Sequence, residues 1–205
     1  MSGIIAQNIN RQSGLVKAPE AGGGAWNFIS KTSGDAATIS ITSGIDSTYK
    51  VYLITCNNIH AATDNQLFQF NGSDDTSSHS YDISKTTTFW RAFHSEGDAS
   101  GIGYDGGGDL ANGTGFQVLN GDGLGIDNDQ CTSGYLYLYN PASTVFVKYF
   151  TSVFNNITPD DYLQNTYVDG YFNTTAAITA LQFKMASGNI NSGDICLYGL
   201  SVWVE

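Results

Sequence analysis

The last thirty residues, 176–205, carry the pattern that most constrains the fold, an alternation of apolar and polar side chains. Leu181, Phe183 and Met185 fall on one parity, and polar residues stand between them. A period of two is typical of a β-strand that buries one face. The end of the chain therefore predicts a β-structure rather than a helix.

A second strand is expected to follow the first after a turn. Residues 187–193 are rich in Gly, Ser and Asn, which favour chain reversal. A strand beginning near Asp194 would then return as a hairpin that closes the fold, and Gly199 predicts a bulge or bend before a last short strand. The side chains assigned to core and subunit packing, rather than to a site, are Cys196, Tyr198 and Trp203.

The rest of the chain repeats this pattern of short apolar runs separated by turn residues. Strands are predicted at 25–31, 37–42, 49–55, 66–71, 87–94, 116–119, 134–139 and 145–150. Such spacing, with almost no helical period, predicts an all-β protein, a jelly-roll-like antiparallel β-sandwich over residues 25–205. At 205 residues the chain is long enough for one such domain.

Two segments depart from the pattern. At 158–163, a capping Thr158 and a Pro159 suited to the first helical position predict a helix of about two turns. The segment 97–125 is rich in glycine and lacks periodicity, so we expect a surface loop that carries contacts or binding.

Residues 1–24 are predicted to form an N-terminal arm that ends in a run of three glycines. Such a short segment cannot bury its own apolar side chains. It is expected either to pack along its own domain or to dock on another subunit, and docking is the preferred interpretation. The candidate attachment residues are Ile4, Ile5, Ile9, Arg11, Leu15 and Lys17.

Charge and cysteine content narrow the function classes. Hydrophobic residues make up 41% and charged residues 13%, with a net charge of −11, so disorder and binding to nucleic acid or anionic membrane are not expected. The three cysteines form no CxxC and no Cys/His cluster, which argues against a disulfide framework and a zinc site. We find no signal-peptide pattern and no membrane-length apolar run, so synthesis and folding in a cytoplasm are expected.

A cofactor is not expected, although one acidic segment is a weak candidate for Ca²⁺. Asp122, Asp127 and Asp129 could supply oxygen ligands, but the segment lacks the glycine and glutamate positions of an EF-hand. A solvated acidic turn is the alternative. Residues 101–106 match G-x-G-x-x-G, but the motif requires a following helix that the sequence does not predict.

The sequence favours a non-enzymatic protein. Its three histidines belong to no recognisable motif, and no G-x-S-x-G is present. Trp26, Trp90 and Trp203 could form a platform for sugar rings, but Trp90 next to Phe89 and Phe93 is also the pattern of a sandwich core. Core packing is the preferred interpretation of Trp90.

Three stretches resemble virion structural proteins of tailed bacteriophages, especially those of marine and cyanobacterial hosts. They are MSGIIAQNINRQSGLVKAPE, AWNFISKTSGDAATISITSGIDSTYKVYLITCNNIHAATDN and TTAAITALQFKMASGNINSGDICLYGL. The resemblance implies a jelly-roll-like sandwich, a homo-oligomer and a place in the virion, and it implies no catalytic or ligand residues.

The expected function is therefore a capsid decoration protein or short head projection. Its partners would be copies of itself, with a trimer among the options, and the major capsid protein or another virion protein. The alternative is a tail or fibre module that binds host-surface glycan through aromatic and Asp/Asn loops. A hydrolase ranks third.

Overall fold

Twelve β-strands and no helix make up residues 25–201, the part of the chain that the computed structural model describes. The strands are β1 Trp26–Ser33, β2 Thr38–Ile41, β3 Val51–Ala61, β4 Phe68–Ser73, β5 Lys85–Ser95, β6 Ser100–Tyr104, β7 Gln117–Val118, β8 Thr132–Tyr139, β9 Lys148–Ile157, β10 Tyr162–Phe172, β11 Ala180–Met185 and β12 Ile190–Leu200. Residues 25–201 contain no helix that could cross a membrane.

The strands form two antiparallel sheets that pack face to face. The large sheet has eight strands in the order β1-β12-β3-β8-β9-β10-β5-β6, and the small sheet has four in the order β2-β11-β4-β7. The predicted all-β sandwich is confirmed. The jelly-roll connectivity stays a prediction.

Aromatic side chains join the two sheets. Phe70 of β4 lies 5.0 Å, centroid to centroid, from Phe150 of β9 and 6.1 Å from Phe172 of β10. Phe68 lies 5.9 Å from Phe154 in the same way. These rings are fully or almost fully buried, and each contributes roughly 1.5–3 kcal/mol relative to an exposed ring.

The predicted closing hairpin is wrong in its pairing. β11 lies in the small sheet between β2 and β4, whereas β12 lies in the large sheet between β1 and β3. The turn between them, with Gly188 at a φ of 72°, therefore crosses from one sheet to the other. Alternation shows that each strand buries one face, but it does not say which strand lies beside it.

The interruption predicted at Gly199 is also wrong. β12 continues through Gly199, which pairs with Asn27 on one side and Tyr52 on the other. A Cβ there would lie only 2.1 Å from the Tyr49 ring, so glycine makes room for an aromatic side chain. Irregular register occurs earlier, between Ile190 and Asp194, and the predicted last strand, including Trp203, extends beyond the described residues.

The helix predicted at 158–163 is a turn between β9 and β10. The backbone N–H of Asp161 donates to the carbonyl oxygen of Thr158 at 3.0 Å, and Asp161 has a φ of 57°. Pro159 occupies the second position, where its fixed φ suits a tight turn as well as a helix start. Thr158 and Pro159 therefore suit either a helix start or a tight turn, and the sequence alone does not distinguish the two.

Two further boundaries differ from the prediction. β6 lies inside the segment expected to be an irregular loop, and it pairs with β5 at one edge of the large sheet. The strand predicted at 145–150 is β9, which begins at Lys148 and runs to Ile157.

Candidate binding surface on the large sheet

The outward face of the large sheet exposes aromatic rings. Because side chains alternate along a strand, Leu136 and Leu138 of β8 are buried against the small sheet while Tyr135 and Tyr139 point outward. Neighbouring strands continue this arrangement. The exposed aromatic residues on this face are Phe28, Trp90, Tyr104, Tyr135, Tyr139, Tyr149 and Tyr167.

Trp90 belongs to this outward set and not to the core. It is 48% exposed, whereas its neighbour Phe89 is 1% exposed. Adjacent residues on a strand point to opposite faces. The core position expected for this apolar run is therefore correct for Phe89 and wrong for Trp90. Trp90 packs edge-on against Tyr104 of β6, with 5.6 Å between ring centroids.

Strand register places polar side chains between two aromatic rows. Thr151 of β9, Asp169 of β10 and Thr88 of β5 lie side by side across the sheet. One aromatic row, Tyr149 and Tyr171, lies two residues to one side along the strands. The other row, Tyr167, Trp90 and Tyr104, lies two residues to the opposite side.

A groove of about 460 Å³ lies over the polar row. Tyr149 and Tyr171, 6.1 Å apart between ring centroids, form one wall. Thr88, Thr151 and Asp169 are among its lining residues, and Asp169 is the one acidic or basic side chain in that lining. The groove thus combines one aromatic wall with hydroxyl groups and one carboxyl group.

Tyr104 is fixed at the outer end of the second row. Its hydroxyl donates to a carboxylate oxygen of Asp109, and this bond is the main cause of the raised pKa of the Tyr104 phenol. The ring is therefore held by Trp90 on one side and by the loop after β6 on the other.

An apolar patch, which we call the corner patch, lies on the same face at the edge where β1 and β12 meet. Phe28 is 60% exposed and packs against Tyr198 at 5.7 Å, and Trp26 packs against Tyr137 at 5.8 Å. The backbone N–H of Ser201 donates to the carbonyl oxygen of residue 25 at 2.9 Å. Both ends of the described chain, residues 25 and 201, thus lie beside this patch.

The three aspartates predicted as Ca²⁺ ligands are in different surroundings. Asp122 forms an ion pair with Arg91 at 2.7 Å and accepts a hydrogen bond from Gln164. The backbone oxygen of Asp127 contacts His60 Nε2 at 3.2 Å, and Asp129 borders a depression on another part of the surface. Within residues 25–201, no three acidic, His or Cys side chains form a group suited to a metal ion.

Other predicted sites have simpler outcomes. Gly101 and Gly103 lie on the edge strand β6, with no helix after it, so the G-x-G-x-x-G match has no phosphate-binding context. Cys56 and Cys196 are buried free thiols, and Cys131 is a half-buried one. The six candidate attachment residues in segment 1–24 lie outside the described residues.

Two buried lysines were missed by sequence reasoning. Lys85 Nζ donates to Asn71 Oδ1 at 2.7 Å and to the Ile83 carbonyl oxygen at 2.9 Å. Burial lowers the pKa of Lys85 to about 7. Lys148 Nζ donates to the carbonyl oxygens of Thr174 and Ala176. Both lysines tie strands to loops by neutral acceptors, which is a structural role.

Comparison with protein-family models and with curated proteins found no match. The fold and the chemistry of its surface are therefore the basis on which a function is assigned.

Proposed function

We propose that this chain is a non-enzymatic virion structural protein of a tailed bacteriophage, a capsid decoration protein or a short head projection. The observation that carries the proposal is the arrangement at the corner patch. Residue 25, the first described residue after the segment 1–24, lies at this patch, and Phe28 of the patch is 60% exposed. The sequence resemblance supports the same role.

Attachment at one corner suits a protein that decorates a surface. Phe28 stands on the outermost strand β1, whereas β6 forms the opposite edge of the same sheet. An exposed apolar patch is a favourable site for burial against a partner. The partner would be the major capsid protein or a second copy of this chain, and the opposite edge would face outward.

The absence of charge at the corner patch suits a permanent contact. Phe28, Tyr198, Trp26 and Tyr137 are all uncharged, and their rings already pack in pairs. Burying them further adds apolar area without the cost of desolvating an ion. Such contacts are typical of stable assemblies.

Two changes test the attachment. Deletion of residues 2–22 and the substitution Phe28→Ser should each reduce incorporation into particles. The deletion removes the proposed attachment segment, and the substitution removes exposed apolar area at the corner patch. Incorporation is measured by sedimenting particles and quantifying the bound protein. Ile102→Ser is the matched control, because Ile102 is 83% exposed but lies on the opposite edge strand.

The folded state of each variant is checked by its melting curve. Since the deletion removes none of the described strands, the truncated protein should melt cooperatively. Wild-type incorporation of both the deletion and Phe28→Ser would refute attachment through this corner.

A further inference from the structure

We propose that the groove of the large sheet, with Tyr149 and Tyr171 as its wall and the row of Tyr167, Trp90 and Tyr104 beyond the polar row, is a binding site for an uncharged polysaccharide. The inference goes beyond the structural role, because attachment at the corner patch requires no ligand. It also moves the site from the loops, where the sequence placed it, to the face of the sheet.

The aromatic rows have the geometry of a sugar-binding surface. Sugar rings present faces of C–H groups, and these pack against aromatic rings. The two rows stand two residues to either side of Asp169, which is about 7 Å in each direction along a strand. A chain of sugar rings lying in the groove can therefore contact Tyr149 and Tyr171. Where it continues along the strands past the polar row, it reaches Tyr167 and Trp90.

Exposure supports this reading of the rows. Tyr149 is 59% exposed, and Tyr167 and Trp90 are each 48% exposed. Their ring faces and edges are thus accessible while their attachment to the sheet is rigid. Rigid aromatic side chains bind with little loss of conformational entropy.

The polar row supplies partners for sugar hydroxyl groups. Within residues 25–201, no donor forms a hydrogen bond with the Asp169 carboxylate, so both of its oxygens are free to accept. Thr151 adds a hydroxyl group on one side. The Thr88 hydroxyl on the other side donates to the backbone carbonyl oxygen of Asp169 at 3.4 Å, so its oxygen remains as an acceptor. A concave site with apolar walls and a few convergent polar groups is the usual form of a small-ligand site, and about 460 Å³ is within the common range.

Charge selects the class of polysaccharide. The groove has no basic residue in its lining, and the whole chain carries a net charge of −11. Anionic glycans, nucleic acids and anionic lipids are therefore repelled. An uncharged chain of hexoses avoids this repulsion and provides the hydroxyl groups that Asp169 can bind.

The test uses the full chain and soluble neutral polysaccharides. Native gels are cast with a β-glucan, an α-glucan, a mannan or a galactan, and alginate serves as the anionic comparison. We expect at least one neutral polymer to retard the wild-type protein and alginate not to. Trp90→Ala, Tyr149→Ala and Asp169→Asn should each weaken that binding by about tenfold or more, which corresponds to 1.4 kcal/mol.

Phe28→Ser is the matched control, since it removes an exposed aromatic ring of the same sheet outside the groove. It should keep the binding while losing particle incorporation, and Trp90→Ala should show the reverse. The two proposals can thus fail separately.

Three outcomes would overturn the inference. The first is a wild-type protein that no neutral polymer retards. The second is retardation that survives all three groove substitutions. The third is a wild-type oligomer, measured by sedimentation, that Trp90→Ala or Tyr149→Ala dissociates, because a second copy would then occupy the groove.

Discussion

Burial of Lys85 in the core makes the stability of the protein depend on pH. Its side chain is fully buried and its pKa is lowered from 10.5 to about 7, mainly because burial disfavours the charged form. In the unfolded chain the amine keeps its ordinary pKa. Between these two values the unfolded state binds more protons, so this lysine makes stability rise with pH.

We therefore expect Lys85→Met to flatten the pH dependence of stability. From about pH 7 to about pH 8.5 the wild-type protein should gain roughly 1–2 kcal/mol in the free energy of unfolding from this group. Urea unfolding measured at several pH values checks the slope. The prediction ends at about pH 8.5 because of Cys56. Burial raises the pKa of its thiol above the usual 9.0 in the folded state, so loss of this proton in the unfolded chain lowers stability at higher pH.

Lys184→Met is the control for this slope. Lys184 is only half buried, with Nζ 4.4 Å from the centroid of the Phe116 ring. The slope of Lys184→Met is compared with that of Lys85→Met because Lys184, unlike Lys85, is not fully buried. Equal slopes in wild type and Lys85→Met would contradict the assignment of the pH dependence to Lys85.

Gly134 is required by its close neighbours. A Cβ at this position of β8 would lie 2.3 Å from the Val153 carbonyl oxygen and 2.6 Å from the Phe154 ring. Gly134→Ala should therefore destabilise the protein by about 1–3 kcal/mol, measured by thermal or urea unfolding. Gly103→Ala is the control, since nothing lies within 4 Å of its Cβ, and a loss as large as that of Gly134→Ala would contradict the steric explanation.

For single residues, the sequence predicted the burial of some side chains and not of others. Phe183 and Met185 were correctly expected to be buried on one face of a strand. Lys85 and Trp90 could not be predicted, because a lysine in a strand usually faces water and a tryptophan usually does not. Their positions are decided by strand register, which joins residues far apart in the chain.

The turn between β9 and β10 is an element whose sequence suited two structures. Asp161 has a φ of 57°, and its Oδ1 accepts a hydrogen bond from Gln130 Nε2 at 3.2 Å. Asp161→Val should lower stability by about 1–2 kcal/mol, because a β-branched residue is strained in the left-handed region. Asp161→Asn keeps an acceptor and tolerates that region, so its urea midpoint should stay close to that of wild type.

A valine variant as stable as wild type would show that the turn rearranges freely. In that case Tyr162, whose backbone N–H donates to Thr158 Oγ1 at 3.2 Å, would have to find another partner. Hydrogen exchange at Tyr162 distinguishes this case from an unchanged turn.

Pairing between strands is the part of the fold that sequence could not predict. Alternation identified most strands and the sandwich class, and turn residues marked most boundaries. The candidate groove could not be predicted, because it requires the β9–β10 pair to lie beside the β5–β6 pair although β7 and β8 separate the two pairs in the chain. Antiparallel neighbours are selected by the whole packed sheet.

At the scale of the molecule, the last strand, β12, pairs with the first strand, β1. β12 lies between β1 and β3, pairing Tyr198 with Phe28 and with Leu53. Ile195 and Leu197 of the same strand are buried in the core. Folding of the large sheet therefore depends on contacts that span nearly the whole chain.

We expect a chain ending at residue 186 to remain unfolded. Loss of β12 leaves β1 with no described partner and removes one neighbour of β3, and the exposed apolar area exceeds what a marginally stable domain can lose. Circular dichroism melting should show no cooperative transition, and limited proteolysis should show rapid cleavage. A chain ending at residue 201 keeps every described pairing and should melt cooperatively, whereas cooperative melting of the shorter chain would mean that β12 adds to a domain already formed without it.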